Sequence, residues 1–243
     1  MKPFRRLIPA ACALLAGGAI AADTASCKAE SGTTLTPVIE LYTSEGCSSC
    51  PPADKWLSTL KPLAARGQAV VQAFHVGYWD YIGWVDRFAA PSHTTRQREV
   101  AKFNRLNNIY TPQLVRSGRD SRDYSAATLA SQEPARARIA MTRGAGDAFE
   151  AVVTPADGAG SWSAYWTVTE MGHASKVRAG ENAGETLAHD FVVRQYVPAG
   201  EYKGPSKLVL RAVPGEAGHA RQVNLVVFEP RTGRPLQALS LGC

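Results

Sequence analysis

The chain has 243 residues, 45% of them hydrophobic and 20% charged, with a mean hydropathy of −0.17 and a formal charge of +6. That length holds one large domain or two small ones, and the composition is that of a globular protein with a real core. It excludes a polytopic membrane protein, and the positive balance raises nucleic acid as a partner.

The first segment answers the charge question. Lys2, Arg5 and Arg6 make a positive start, Leu7 to Ile20 is almost uncharged, and Ala19-Ile20-Ala21 offers small residues to a signal peptidase. Residues 1–22 therefore read as a signal peptide, cleaved after Ala21 or Ala22. A retained anchor would need a longer apolar run. A lipid anchor at Cys27 would need an aliphatic residue where Thr24 stands. Losing Lys2, Arg5 and Arg6 takes the formal charge from +6 to +3, so nucleic-acid binding loses its support. The expected location is periplasmic or secreted, with no stable membrane insertion after cleavage.

The cysteines follow from the same cut. Cys12 leaves with the signal, and Cys27, Cys47, Cys50 and Cys243 remain. An even number in an exported chain predicts disulfides. Cys47 and Cys50 are local partners, which leaves Cys27 with Cys243; the alternative for that pair is two free thiols.

Along the chain, Pro37–Tyr42 predicts a short apolar strand. Pro51–Leu60 carries Ala53, Trp56, Leu57 and Leu60 at helical spacing. Ala69–Val76 predicts a second buried strand, followed by the aromatic loop GYWDYIGWVDRFAAP. Ser92 is placed to cap a helix with Val100, Phe103 and Leu106 on one side. Tyr110–Val115 predicts a strand and Ser125–Ala130 a short helix. Near Glu133-Pro134 the pattern becomes strict alternation: Ala137, Ile139 and Met141 against Arg136, Arg138 and Thr142, then Trp162, Ala164, Trp166 and Val168 against Ser163, Tyr165, Thr167 and Thr169. Further strands are predicted at 149–154, 191–197, 208–213, 223–228 and 236–241. The sequence thus predicts an α/β domain over residues 34–133, then a mainly antiparallel, sandwich-like β domain over 134–243. The run Gly180-Glu181-Asn182-Ala183-Gly184 reads only as a turn.

The chemistry concentrates at Cys47-Ser48-Ser49-Cys50. A Cys-x-x-Cys between a strand and a helix meets the unpaired N–H groups and positive dipole end of the helix. Both favour a thiolate, so Cys47 reads as the exposed attacker. Cys50, one turn on, reads as the shielded resolving thiol. Thr111-Pro112 stands before a strand later in the chain. Strand, Cys-x-x-Cys, helix, strand, helix, Thr-Pro and strand together resemble the thioredoxin superfamily over Thr34–Ala130. That resemblance implies a thioredoxin-like domain, a cis Pro112 beside the cysteines, and Glu40 as a general base on the preceding strand. Glu40 lies one residue further from the first cysteine than the superfamily pattern has it; its alternative is a solvated carboxylate at a strand edge. ELYTSEGCSSCPPAD, FHVGYWDYIGWVDRFA, YTPQ, VRAGENAG and VVRQ are similar to the secreted bacterial family called domain of unknown function 1223, across nearly the whole mature chain.

The reading is an exported thiol–disulfide oxidoreductase acting through Cys47 and Cys50 on exported protein substrates, with a redox partner protein and no cofactor. The alternative is copper binding or delivery by Cys47 and Cys50 with His75 or His93. Copper-delivering thioredoxin-like proteins usually have three residues between their cysteines, against two here. A third reading makes the disulfide merely structural in a binding module. No G-x-S-x-G is present.

Overall fold

The computed structural model describes residues 27–125, 131–158 and 160–243. The expected signal segment, Cys12 and most of the helix expected at Ser125–Ala130 lie outside the described residues. The described residues open with β1 (Lys28–Glu30) and β2 (Val38–Thr43), then α1 (Cys50–Ser58) and α2 (Lys61–Ala65). There follow β3 (Val70–His75), a 3-10 turn (Asp80–Ile82), α3 (Pro91–Phe103), β4 (Gln113–Arg116) and β5 (Arg119–Ser121). Every residue of β2 and of β3 is buried, as expected for strands covered on both faces. Pro51 and Pro52 occupy the first turn of α1, where their missing N–H groups cost least. Pro91 starts α3 in the same way. Its N-cap is Ala90, so Ser92 lies inside the first turn and does not cap it.

The second half is all strand: β6 (Ala137–Arg143), β7 (Ala148–Pro155), β8 (Ser161–Glu170), β9 (His173–Lys176), β10 (Thr186–His189), β11 (Val192–Lys203), β12 (Ser206–Arg211), β13 (Arg221–Phe228) and β14 (Pro235–Leu241). The β9–β10 hairpin, β1 and β5 carry too little alternation to be seen in the sequence.

The expected fold class, an α/β thioredoxin-like domain followed by a separate antiparallel β domain, is overturned. The chain is mostly β, and one eight-stranded mixed sheet, ordered β14-β13-β8-β11-β3-β2-β4-β5, draws strands from both halves. β2 and β3 are parallel; β4 and β5 continue antiparallel. The join is β11, which runs antiparallel to β8 and parallel to β3 through Val192 and Ala73. The free edge that β3 would present in a separate domain is used up by the second half. A smaller sheet, β1-β6-β7-β12, packs on the β8–β13–β14 region. Its first strand comes from the N-terminal segment.

The core has two sides. Ile39, Leu41, Val71, Ala73, Leu114 and Phe191 meet Ala53, Leu57 and Leu60 of the α1–α2 segment. Tyr42, Phe74 and Val115 meet Val100 of α3, together with Val193 of β11. Trp162, Trp166, Ile139 and Phe149 belong to the core between the large and small sheets. Strand alternation therefore puts odd residues of β2 toward α1 and even ones toward α3.

Candidate functional site

Cys47 lies in the loop after β2, and Cys50 is the first residue of α1. They form a disulfide with Cα atoms 5.4 Å apart. Cys27 and Cys243 form the second disulfide, Cα to Cα 6.1 Å, across 216 residues. Cys47 is expected from sequence to be exposed, yet it is only 1% exposed, while Ser48 and Ser49 face solvent. The 180–184 turn is hydrogen-bonded to the backbone of this loop. Asn182 Nδ2 donates to the carbonyls of Glu45 at 2.8 Å and Cys47 at 3.0 Å. Glu181 Oε2 accepts the Ser48 N–H at 2.8 Å, which also holds the Glu181 carboxyl below its usual range. A run that composition marks only as a turn, within the VRAGENAG stretch, thus clamps the Cys-x-x-Cys loop.

The Thr111–Pro112 peptide is cis. Pro112, Ser49, Pro52, Ala53, Trp56 and Tyr124 line a cleft of about 340 Å³ against the start of α1. Thr111 Oγ1 accepts from Trp79 Nε1 at 2.7 Å, tying the aromatic loop to the same place. The rest of that loop packs inward or stands free: Trp84 Nε1 donates to Glu45 Oε2 at 2.7 Å, whereas Tyr81 and Val85 are exposed.

Glu40 is not beside the cysteines. As an even residue of β2 it faces α3, where Arg96 Nη2 donates to it at 3.0 Å and Arg96 Nε at 3.3 Å. Tyr42 Oη at 2.6 Å and Tyr165 Oη at 3.2 Å donate to the same carboxylate. This buried cluster sits at the seam between the two halves of the sheet. The expected solvated edge is also excluded, since Glu40 is 1% exposed.

The acid on the cysteine side is Asp54, four residues after Cys50 and so on the same helical face, both side chains buried. Thr43 Oγ1 donates to Asp54 Oδ2 at 2.9 Å. Burial raises the Asp54 pKa above the usual carboxylate range, with His75 and His189 pulling it back only partly. The Cys50-to-Asp54 spacing is legible in the sequence, although the superfamily resemblance points instead to the preceding strand.

His75 lies on the same face of the sheet. Its Nδ1 is 2.7 Å from Asp86 Oδ2. Burial works against the charged imidazole, but Asp86, Asp54 and Glu45 together raise its pKa. Burial pushes Asp86 up, and contact with His75 and the N–H groups of Glu45 and Phe88 more than offsets it, so Asp86 titrates low. His189 Nε2 sits 3.2 Å from Glu45 Oε1. His93 belongs to the other face: its Nδ1 meets the His75 carbonyl at 2.9 Å, and burial pushes its pKa down to about 4. Of the two histidines in the copper reading, His75 therefore shares the cysteine face and His93 does not. Cys47 and Cys50 are bonded to each other, and His93 is across the sheet.

Comparison with known proteins comes to bear on this geometry. No curated protein matches. Two solved structures share the fold. A protein from Agrobacterium tumefaciens superposes with a TM-score of 0.64 at 23% identity, covering 86% of this chain and 95% of that one. HBP35 of Porphyromonas gingivalis gives 0.56 at 10% identity, covering 86% and 76%. At those identities they speak for the fold alone. The family profile described as protein of unknown function (DUF1223) matches residues 38–228, a span that holds the Cys-x-x-Cys, Thr111-Pro112 and the clamping turn. The chain belongs to the DUF1223 family.

Proposed function

We propose that this protein is an exported thiol–disulfide oxidoreductase whose working bond is Cys47–Cys50. The observation that carries the reading is the local disulfide at the N-terminus of α1, with Pro112 and an apolar cleft beside it. A substrate thiolate attacks Cys47 Sγ; the Cys47–Cys50 bond breaks and Cys50 leaves as a thiolate. A second substrate thiolate then attacks the substrate sulfur of the mixed disulfide, releasing Cys47. The substrate dithiol is oxidised by two electrons and the Cys47–Cys50 pair is reduced; the reverse sequence reduces a substrate disulfide. The helix N-terminus stabilises whichever cysteine leaves as thiolate. Asp54 is the group suited to take and return the Cys50 proton, because burial keeps its pKa closer to neutrality than an exposed aspartate's. Export is supported by two disulfides and the signal-like first residues. No helix among the described residues is long and apolar enough to cross a membrane.

The test is exchange with several protein substrates, read as insulin reduction and as oxidation of a reduced protein. Wild type exchanges, Cys47→Ser is inactive, and Cys50→Ser traps mixed disulfides through Cys47. Cys47→Ser indistinguishable from wild type in both assays would overturn the reading.

A further inference from the structure

A second cluster lies away from the cysteines, where two turns meet. The first, Glu170 to His173, joins β8 to β9 through Gly172, whose φ of +75° suits glycine. The second, Glu216 to His219, precedes β13. The turns are tied together: Met171 N–H donates to the Ala220 carbonyl at 3.0 Å, and Glu216 N–H donates to Glu170 Oε1 at 2.8 Å. His173, Glu216 and His219 each place one ligating atom within 4.8 Å of the others.

The ring nitrogens show what the cluster is arranged to do. His173 Nε2 is 3.0 Å from Glu170 Oε2, and His219 Nδ1 is 2.7 Å from the Met171 carbonyl. Carboxylate and carbonyl oxygens only accept, so both of these nitrogens carry the proton. The lone pairs are left on His173 Nδ1 and His219 Nε2. His173 is 1% exposed, yet its Nδ1 has no hydrogen-bond partner. His219 Nε2 is 3.7 Å from Glu216 Oε1, while the other carboxylate oxygen, Oε2, takes Arg194 Nη1 at 3.0 Å. A ligating imidazole normally has its second nitrogen held in this way by a carboxylate or a backbone carbonyl. An unpartnered buried nitrogen is otherwise a cost. Glu216 and His219 also line a cleft of about 1010 Å³, through which water can reach the cluster.

We infer that His173, His219 and Glu216 form a binding site for a divalent first-row transition cation such as Zn²⁺, distinct from the cysteine pair and open on the cleft side. Two imidazoles and a carboxylate suit Zn²⁺, and water from the cleft completes the coordination. The neighbouring Arg194 and Glu170, of opposite charge, also face the site; Arg194 spans Glu170 and Glu216 at 3.4 and 3.0 Å.

The site is tested by calorimetric titration of Zn²⁺ into the untagged chain with both disulfides intact, which keeps the cysteines out of the donor set. One Zn²⁺ per chain is expected. His219→Ala and Glu216→Gln, at partly exposed positions the fold tolerates, each weaken binding at least about tenfold. His173→Ala does the same if its circular dichroism is native, and the two other variants decide the matter if it is not. Absence of stoichiometric Zn²⁺ uptake by wild type overturns the inference. So does Zn²⁺ affinity unchanged in both His219→Ala and Glu216→Gln.

Discussion

At the scale of single residues, two buried acids near the motif have different fates. Glu40 is locked to Arg96 and two tyrosines on the α3 face, an arrangement that predicts a structural role. Glu40→Gln leaves a buried guanidinium poorly paired. It should lower stability by about 3 kcal/mol in urea denaturation, without slowing exchange in the folded protein. Asp54 stands on the cysteine side. Asp54→Asn should slow exchange on the order of 100-fold near neutral pH and flatten its pH dependence. If Glu40→Gln slows exchange and Asp54→Asn does not, the assignment of roles is reversed. The His75–Asp86 pair sets a pH window. The lowered Asp86 pKa gives stability that is present above its ordinary 3.8 and is lost as pH falls through the lower folded value. The raised His75 pKa gives stability that is complete below its ordinary 6.5 and is lost as pH rises through the higher folded value. Between these limits the pair contributes most. Asp86→Asn should flatten the stability profile on both sides, measured by thermal unfolding across pH; a profile unchanged from wild type would show that the pair does not govern it.

At the scale of elements, the 180–184 turn holds the loop that carries Cys47. The β9–β10 hairpin that carries the turn lies beside α1, and Asn182 holds the carbonyls on both sides of Gly46. Cys47, only 1% exposed, is expected to react when this loop loosens. Each hydrogen bond is worth about 1 kcal/mol. Asn182→Ala, which removes two such bonds, should therefore raise the rate at which dithiothreitol reduces Cys47–Cys50 roughly 30-fold, followed by alkylation and mass spectrometry. An unchanged rate would show that the loop loosens without breaking these contacts.

At the scale of the whole molecule, the shared sheet makes the halves interdependent. Phe191 and Val193, on either side of the seam residue Val192, fill the cores on opposite faces of the first-half sheet. Residues 34–133 alone would lose both, at about 1.5–3 kcal/mol per large side chain, and would expose the β3 edge. That fragment should lack a cooperative unfolding transition by circular dichroism; a sharp transition would mean that the first half is self-sufficient. The Cys27–Cys243 disulfide closes a loop of 216 residues, which the chain-entropy model values at about 5 kcal/mol at most. Replacing both cysteines by serine should lower stability by up to that amount and leave the reactivity of Cys47–Cys50 as it was.

Local patterns were legible in the sequence because their causes are local. Alternating Trp162, Ala164, Trp166 and Val168 announces a strand with one buried face, and Pro51-Pro52 after Cys50 announces a helix start. The disulfide pairs followed from counting cysteines once a signal peptide was assumed, and the family from motifs spread across the chain. What the residues alone left open was partnership at a distance. Hydropathy says that Val192 and Ala73 are strand residues, but not that they lie side by side in one sheet. Nothing local marks Asn182 as a partner of the Cys47 loop, or His173 and His219 as neighbours. Those relations depend on hydrogen bonds between segments far apart in the chain, so only the tertiary structure decided them. It moved Glu40 away from the cysteines because β2 offers alternate residues to opposite faces, and it placed Asp54 on the cysteine side in its stead.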